Sequence, residues 1–331
     1  MNDQLPHTQH LRASASATSA ALREIERALG PGSVLTDRDV LESYARDESE
    51  ADPHLPDAVV RPQSTSDVAA IMAACSHHGV PVTPRAGGTG RTGGAIPVAG
   101  GVVLAFERQT KIKGIEQDDL IAVLEPGVVT GQLHAAVEAL GLFYPPDPNS
   151  LGSCTLGGNV AENAGGPRAL RYGSTRDYVL GLEVVTAAGQ VLQLGKRTVK
   201  GVTGYDLTSL MVGSEGTLAV ITEITLKLLP KPEALGTLLA LLPDLPTAGR
   251  AVGATLRQGV LPRCMELLDE HTLALVRPEA GLPLHDAARA LLLIELDGDE
   301  VSVPRQLERV GNALLEVGAL DVLVARHSGE R

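Results

Sequence analysis

Tryptophan is absent from this chain and phenylalanine occurs only twice, so any core it buries has to be aliphatic. The three cysteines, Cys75, Cys154 and Cys264, lie far apart with no C-x-x-C pair, which argues against a disulfide framework or a zinc cluster. No segment reaches the roughly 18 apolar residues of a membrane span. The first twenty residues are polar and rich in Ser, Thr and His, unlike a secretory leader. A cytoplasmic protein, or one peripheral at the inner membrane, is therefore expected. Basic residues are also scarce: 28 Lys and Arg face 40 Asp and Glu, a net charge of −12. That balance argues against a nucleic-acid partner, because a phosphate backbone demands a basic surface.

Glycine, by contrast, is plentiful, at 36 of 331 residues, and much of it sits in two segments about 60 residues apart. The first is Pro84-Arg85-Ala86-Gly87-Gly88-Thr89-Gly90-Arg91-Thr92-Gly93-Gly94. The second runs from Pro146-Asp147-Pro148-Asn149-Ser150 through Thr155-Leu156-Gly157-Gly158-Asn159 to Glu162-Asn163-Ala164-Gly165-Gly166. Glycine lets the main chain take positive φ and lets a ligand approach closely. Successive N–H groups in such turns form concave anion sites. Two of them on one scaffold point to a large, phosphorylated, two-ended ligand. Between Asn163 and Thr203 the bases Arg168, Arg171, Arg176, Lys196, Arg197 and Lys200 outnumber Asp177 and Glu183. That stretch is either a companion site for an anion or a solvated basic face.

The length suits two domains. The opening reads as a disordered tail to about residue 20 and a helix over 21–29, closed by Gly30-Pro31-Gly32. Ser64-Thr65-Ser66 offers an N-cap for a helix with Val68, Ile71, Met72 and Cys75 on one face, and Gly79 stops it. Strands are expected at 58–60, 80–83, 102–105 and 121–124. Thr130 is expected to cap a helix carrying Leu133 and Val137, with Gly141 as terminator. A hairpin is read about Ala188-Gly189, and the strict alternation of 222–228 reads as a half-buried strand. Pro230-Lys231-Pro232 marks a boundary. Beyond it come strands at 235–242, 291–296 and 320–325 and helices at 247–258 and 303–317.

Gly88-Thr89-Gly90-Arg91-Thr92-Gly93 is literally G-x-G-x-x-G, but the dinucleotide fold needs that motif to open a helix. Here Gly94, Pro97, Gly100 and Gly101 follow, so the Rossmann reading fails, and no Walker sequence occurs. Taken alone, the first segment could be a ligand-free glycine hairpin. The second adds Asn, Thr and Ser side chains beside exposed main-chain donors, which suits a flavin or a diphosphate. The nine histidines form no catalytic constellation. His77-His78 reads as a capping or surface pair, His134 as solvent-facing, and His327 falls in the tail. No metal site is expected.

These segments, with Lys200-Gly201-Val202-Thr203-Gly204-Tyr205-Asp206-Leu207 and Ser214-Glu215-Gly216-Thr217-Leu218-Ala219-Val220-Ile221-Thr222-Glu223, carry a resemblance. The chain is similar to the FAD-linked oxidases, in the branch of the glycolate oxidase D-subunit and the D-lactate and D-2-hydroxyglutarate dehydrogenases. The resemblance implies an α+β chain: a vanillyl-alcohol-oxidase type FAD-binding domain of two α+β subdomains over 55–232, then a partial α+β cap over 233–331. Residues 1–54 would be an N-terminal tail, helix and acidic loop. Arg85, Ala86, Gly87, Gly88, Thr89 and Gly90 would wrap the FAD diphosphate. Asp147, Pro148, Asn149, Ser150, Thr155, Gly158 and Asn159 would contact the diphosphate, ribityl chain and flavin edge. Glu162, Asn163, Ala164 and Gly165 would continue that wall, and Glu215, Gly216, Val220 and Ile221 would flank the adenine and ribityl portions. The first loop holds no His or Cys, so FAD is expected to be non-covalent. Ala86 stands where many relatives carry Gly, which is tolerable if its φ stays negative. Gln109-Thr110 replaces a common Met-Asn pair.

Glu266-Leu267-Leu268-Asp269 and Glu295-Leu296-Asp297-Gly298 fit early strands of the cap. The family's His-x-Gly-Asp-Gly-Asn-x-His segment does not occur in the sequence, so the chain is expected to be a truncated form and no catalytic residue is nominated. The implied reaction oxidises a D-2-hydroxy acid, glycolate or D-lactate, to the 2-oxo acid by hydride transfer to flavin N5. Expected partners are that small acid and either an electron acceptor or fellow subunits of a glycolate oxidase complex. The alternatives are a non-catalytic FAD-binding electron-transfer subunit, a truncated inactive homologue, or an unrelated glycine-rich binding protein.

Overall fold

The computed structural model describes residues 12–281 and 284–325; the expectation for His327 lies outside them. The chain forms two compact units. One comprises the residues up to Tyr144, Pro148–Ala164 and Ser174–Leu229; the other comprises Pro145–Asp147, Gly165–Gly173 and the chain from Pro230.

The first unit opens with α1 (Ala15–Leu29), longer than the helix expected over 21–29. The tail reading missed its first turns because Ser14 accepts a hydrogen bond from the Ala17 N–H and so starts the helix early. A four-stranded sheet follows, built from β1 (Val34–Leu35), β2 (Ala58–Val60), α2 (Thr65–His78), β3 (Val82–Arg85) and β4 (Val102–Ala105). Its order is β1-β2-β4-β3, with β4 parallel to both β2 and β3. Helix α2 has the ends its sequence called for: the Ser64 hydroxyl accepts from the Asp67 N–H, and Gly79 takes the left-handed conformation at φ 63°. Val68, Ile71 and Cys75 pack with Ile25, Val102 and Leu104 in an aliphatic core.

The second sheet of this unit is antiparallel. It contains β5 (Ile112–Glu116), β6 (Ile121–Leu124), β7 (Val179–Val185), β8 (Val191–Gly195) and β9 (Val220–Lys227), in the order β5-β6-β9-β7-β8. Two helices, α3 (Thr130–Glu138) and α4 (Leu156–Glu162), lie between β6 and β7 in sequence. The hairpin at Gly189 forms as expected. Strand β9 keeps the expected alternation: Ile224, Leu226 and Leu228 are buried, Glu223 and Lys227 are only partly covered, and Thr225 alone of the polar set is buried. It is central in its sheet, and α2 and α4 pack against it. Thr222, on the apolar face, is buried too and donates to Glu183 Oε1 at 2.8 Å.

The expected cap at Thr130 is also not made. Its hydroxyl donates to the Cys154 carbonyl and accepts from Asn159 Nδ2 at 2.7 Å, so it joins two segments instead of closing a helix end. His134, expected in solvent, is buried with its ring edge-on to Tyr144. The face of α3 that carries Leu133 and Val137 is wide enough to take it in as well.

The second unit is a four-stranded antiparallel sheet with helices. Its elements are β10 (Ala234–Leu242), α5 (Leu245–Arg257), β11 (Cys264–Leu268), β12 (Ala290–Gly298), α6 (Ser302–Glu316) and β13 (Asp321–Val324). The strand order is β11-β12-β10-β13. Leu238, Leu292, Ile294, Val310 and Leu314 form its core. All three cysteines are free and buried, and burial pushes the thiols of Cys75 and Cys264 up to about 12. No helix among the described residues is long and apolar enough to cross a membrane.

Candidate functional site: a glycine-lined cavity in the first unit

Strand β3 delivers Pro84 and Arg85 to the start of the first glycine loop. The loop runs to Val102 without a helix, as the glycines at 93, 94, 100 and 101 required. It lies directly against the second glycine segment. A Cβ placed on Gly87 would stand 2.9 Å from the Ser153 carbonyl oxygen, closer than a side chain can come. A Cβ on Gly158 would sit 3.3 Å from the Ala86 methyl group. The missing side chains are what let the two loops form one surface. Ala86 is not among the residues with positive φ, so the substitution at that position is accommodated as expected.

Between the loops is a cavity of about 250 Å³. Its wall contains Arg85, Ala86, Gly87, Gly88, Thr89 and Gly90 from the first loop, with Pro148, Ser150, Thr155, Gly158, Asn159, Glu162 and Ala164 from the second segment. Glu215, Gly216, Val220 and Ile221 complete it from the start of β9. Four residues expected there are not on the wall. Asp147 pairs with Arg168 at 2.9 Å, and burial raises its carboxyl while that cation opposes the shift. Asn149 is exposed. Asn163, at φ 52°, ends α4 and accepts hydrogen bonds from the Ser174 hydroxyl and the Arg176 N–H. Gly165 belongs to the second unit.

The wall also holds residues the motif reading passed over. Arg91, Gly94 and Gly157 fall inside the glycine segments and were legible in principle. Phe106, Pro126, Ala161 and Ala219 give no local signal and arrive through the fold. The basic run from Arg168 to Lys200 contributes nothing to the wall. Four of its members tie the backbone and acids of their own unit: Arg171 binds Asp297 at 2.7 Å, Arg176 donates to the Val212 carbonyl, Arg197 pairs with Glu116, and Lys196 donates to the Gly201 carbonyl.

The wall chemistry is mixed. The Thr92 hydroxyl lies 3.2 Å from Glu162 Oε1 and 3.3 Å from Glu215 Oε2, bringing two carboxylates together. Loss of solvation raises the Glu162 carboxyl, the Thr92 hydrogen bond opposes this, and Glu215 and Asp47 add repulsion. The Arg85 guanidinium is engaged elsewhere, donating to the Arg46 carbonyl at 2.8 Å and lying 5.6 Å from the centre of the Tyr44 ring. Its pKa is lowered by burial. One polar atom of the wall is conspicuous: Thr155 Oγ1 is buried and has no hydrogen-bond partner in the protein. Such an oxygen is costly unless something else satisfies it. With close-approach glycines on one side and Phe106, Val220 and Ile221 on another, the wall fits a ligand with both phosphate oxygens and an apolar ring. No wall residue is a histidine or cysteine.

Solved structures share this fold across almost the whole chain. p-Cresol methylhydroxylase with substrate bound aligns over 94% of this chain and 67% of its own, with TM-score 0.80 and 20% identity. Alkyldihydroxyacetonephosphate synthase aligns over 94% and 62%, with TM-score 0.79 and 21% identity. The architecture is thus the vanillyl-alcohol-oxidase type FAD-binding fold, in an α+β chain of the flavoprotein class. Residues 56–195 match the FAD binding domain family, and residues 231–331 match the C-terminal domain of FAD linked oxidases.

An uncharacterized FAD-linked oxidoreductase of Mycobacterium tuberculosis is 37% identical over 92% of this chain and 68% of its own length. Glycolate oxidase subunit GlcD of Bacillus subtilis is 43% identical over 87% of this chain and 61% of its length. D-lactate dehydrogenase of Anaerostipes hadrus is 35% identical over 90% and 64%. The chain belongs to the FAD-linked oxidase family, and its cofactor is FAD. It spans about three-fifths of the two relatives just named.

Proposed function

We propose that this chain holds FAD non-covalently in the glycine-lined cavity and serves the oxidation of a D-2-hydroxy acid, glycolate or D-lactate, to its 2-oxo acid. The observation that carries the cofactor assignment to this cavity is the buried, unpartnered Thr155 hydroxyl on a wall where two glycine segments meet. The substrate class rests on the names of the relatives, glycolate oxidase subunit and D-lactate dehydrogenase. Bound FAD supplies a two-electron acceptor for the hydride leaving the substrate Cα.

The protein's own task is to bind and orient. Main-chain N–H groups of 85–90 would hold the diphosphate, and Thr155, Ser150 and Asn159 would hold the ribityl and flavin portions. Glu215, Gly216, Val220 and Ile221 would flank the rest. Residues 55–232 form the cofactor-binding domain, and the part from 233 begins a substrate cover. The second half-reaction passes electrons to an acceptor or to fellow subunits of an oxidase complex. No residue of this chain is assigned as the base.

The test is the visible spectrum of the purified protein, followed by anaerobic addition of glycolate, D-lactate and D-2-hydroxyglutarate. Bleaching of the flavin band by one acid supports the reading and identifies the substrate. A flavin band that none of them bleaches refutes the oxidation and favours an electron-transfer subunit. A protein that stays colourless with added FAD refutes the cavity assignment.

A further inference from the structure

Helix α2 ends in His77 and His78, and α1, which packs against it, presents Glu24 to both. Glu24 Oε2 lies 2.9 Å from His78 Nε2 and 3.6 Å from His77 Nδ1. One ligand atom from each residue falls within 4.8 Å of the other two. Adjacent positions on a helix point roughly 100° apart and do not ordinarily face a common partner. Here the two imidazole rings come to 4.5 Å between centroids, at the last turn before the left-handed Gly79.

The distances suit direct pairing, since 2.9 Å is also a hydrogen-bond length, and they equally accommodate a shared metal. In a tetrahedral zinc site with bonds of about 2.0–2.1 Å, neighbouring ligand atoms are about 3.3 Å apart. The two measured separations, 2.9 and 3.6 Å, bracket that spacing. An ion pair would need only one imidazole, and the second would be free to turn into solvent. Two imidazoles and one carboxylate suit zinc and its neighbours in the first transition row, whereas magnesium and calcium take all-oxygen sets. The His77 side chain is 73% exposed, which leaves a coordination position open to water.

We propose that Glu24 Oε2, His77 Nδ1 and His78 Nε2 form a binding site for a borderline divalent metal ion, with zinc preferred, that ties α1 to α2. None of the three residues lies on the wall of the glycine-lined cavity, so the site is independent of the reaction the protein serves.

Calorimetric titration of the chelator-dialysed, FAD-loaded chain with zinc chloride tests it. One saturable event per chain is expected, and His77→Ala, His78→Ala and Glu24→Ala should each weaken it at least about tenfold. Zinc should also raise the thermal midpoint of the unmodified chain and leave that of His77→Ala in place. His77 is exposed, so this variant keeps its metal-free midpoint and controls for folding. Magnesium chloride should reproduce neither effect. The absence of a saturable zinc event, or one unchanged in all three variants, would overturn the site and leave Glu24 as the hydrogen-bond partner of His78 alone.

Discussion

At the residue scale, Thr155 and Glu162 separate ligand chemistry from stability. Replacing Thr155 by Val removes a hydroxyl that has no protein partner, so the FAD-free fold loses no hydrogen bond. A bond of about 1 kcal/mol to the cofactor would be lost, and FAD affinity should fall about fivefold. Flavin fluorescence titration beside a thermal melt of the FAD-free protein checks both halves; a variant that is destabilised but binds FAD normally would contradict the assignment. Glu162 has a raised pKa, so the folded state binds its proton more readily than the unfolded chain does. Its charged form therefore costs stability above the folded pKa, and the cost fades as pH falls through that value. Glu162→Gln should raise the FAD-free melting midpoint at pH 7. The gain should amount to a few tenths of a kcal/mol, because the residue is exposed, and should vanish in acid. A gain independent of pH would contradict this origin.

At the scale of elements, α2 was legible because its ends carry their own chemistry: a serine hydroxyl over the first turn and a glycine free to take positive φ at the last. Strand β9 was legible in its buried apolar face, whereas alternation says nothing of what packs on the polar one, where Thr225 is covered. Strand β12 supplies another case. Asp297 is fully buried and accepts from Arg171 Nη1 at 2.7 Å and the Tyr172 hydroxyl at 2.8 Å, with Arg263 at 3.5 Å. It thereby fastens the 165–173 segment to the sheet of the second unit, a pairing across 126 positions that no local pattern encodes. Asp297→Ala leaves Arg171 and Tyr172 without their shared acceptor and should lower stability by about 3 kcal/mol. Asp297→Asn, which keeps one acceptor oxygen, should cost less. Urea unfolding monitored by circular dichroism would measure both.

For the whole molecule, FAD is expected to act as a stabilising ligand. At a free concentration about 100 times its dissociation constant it adds about 2.7 kcal/mol, which raises the melting midpoint by about 5 °C. Removing FAD should return the midpoint to the lower value, and readdition should restore it; a midpoint indifferent to FAD would speak against binding to the folded state. The sequence by itself determined that this is an α+β chain with an aliphatic core, no Rossmann helix after Gly93 and a flavin-type pair of glycine segments. Those features are local: a glycine, a cap or a turn acts on its own few neighbours. Only the tertiary structure decided that Gly87 lies against Ser153, that Asp147 and Asn163 serve the fold rather than the wall, that most of the basic run is spent on internal ties, and that Glu24 meets His77 and His78. Each of those depends on residues far apart in the chain being brought within a few ångströms, and that follows from packing.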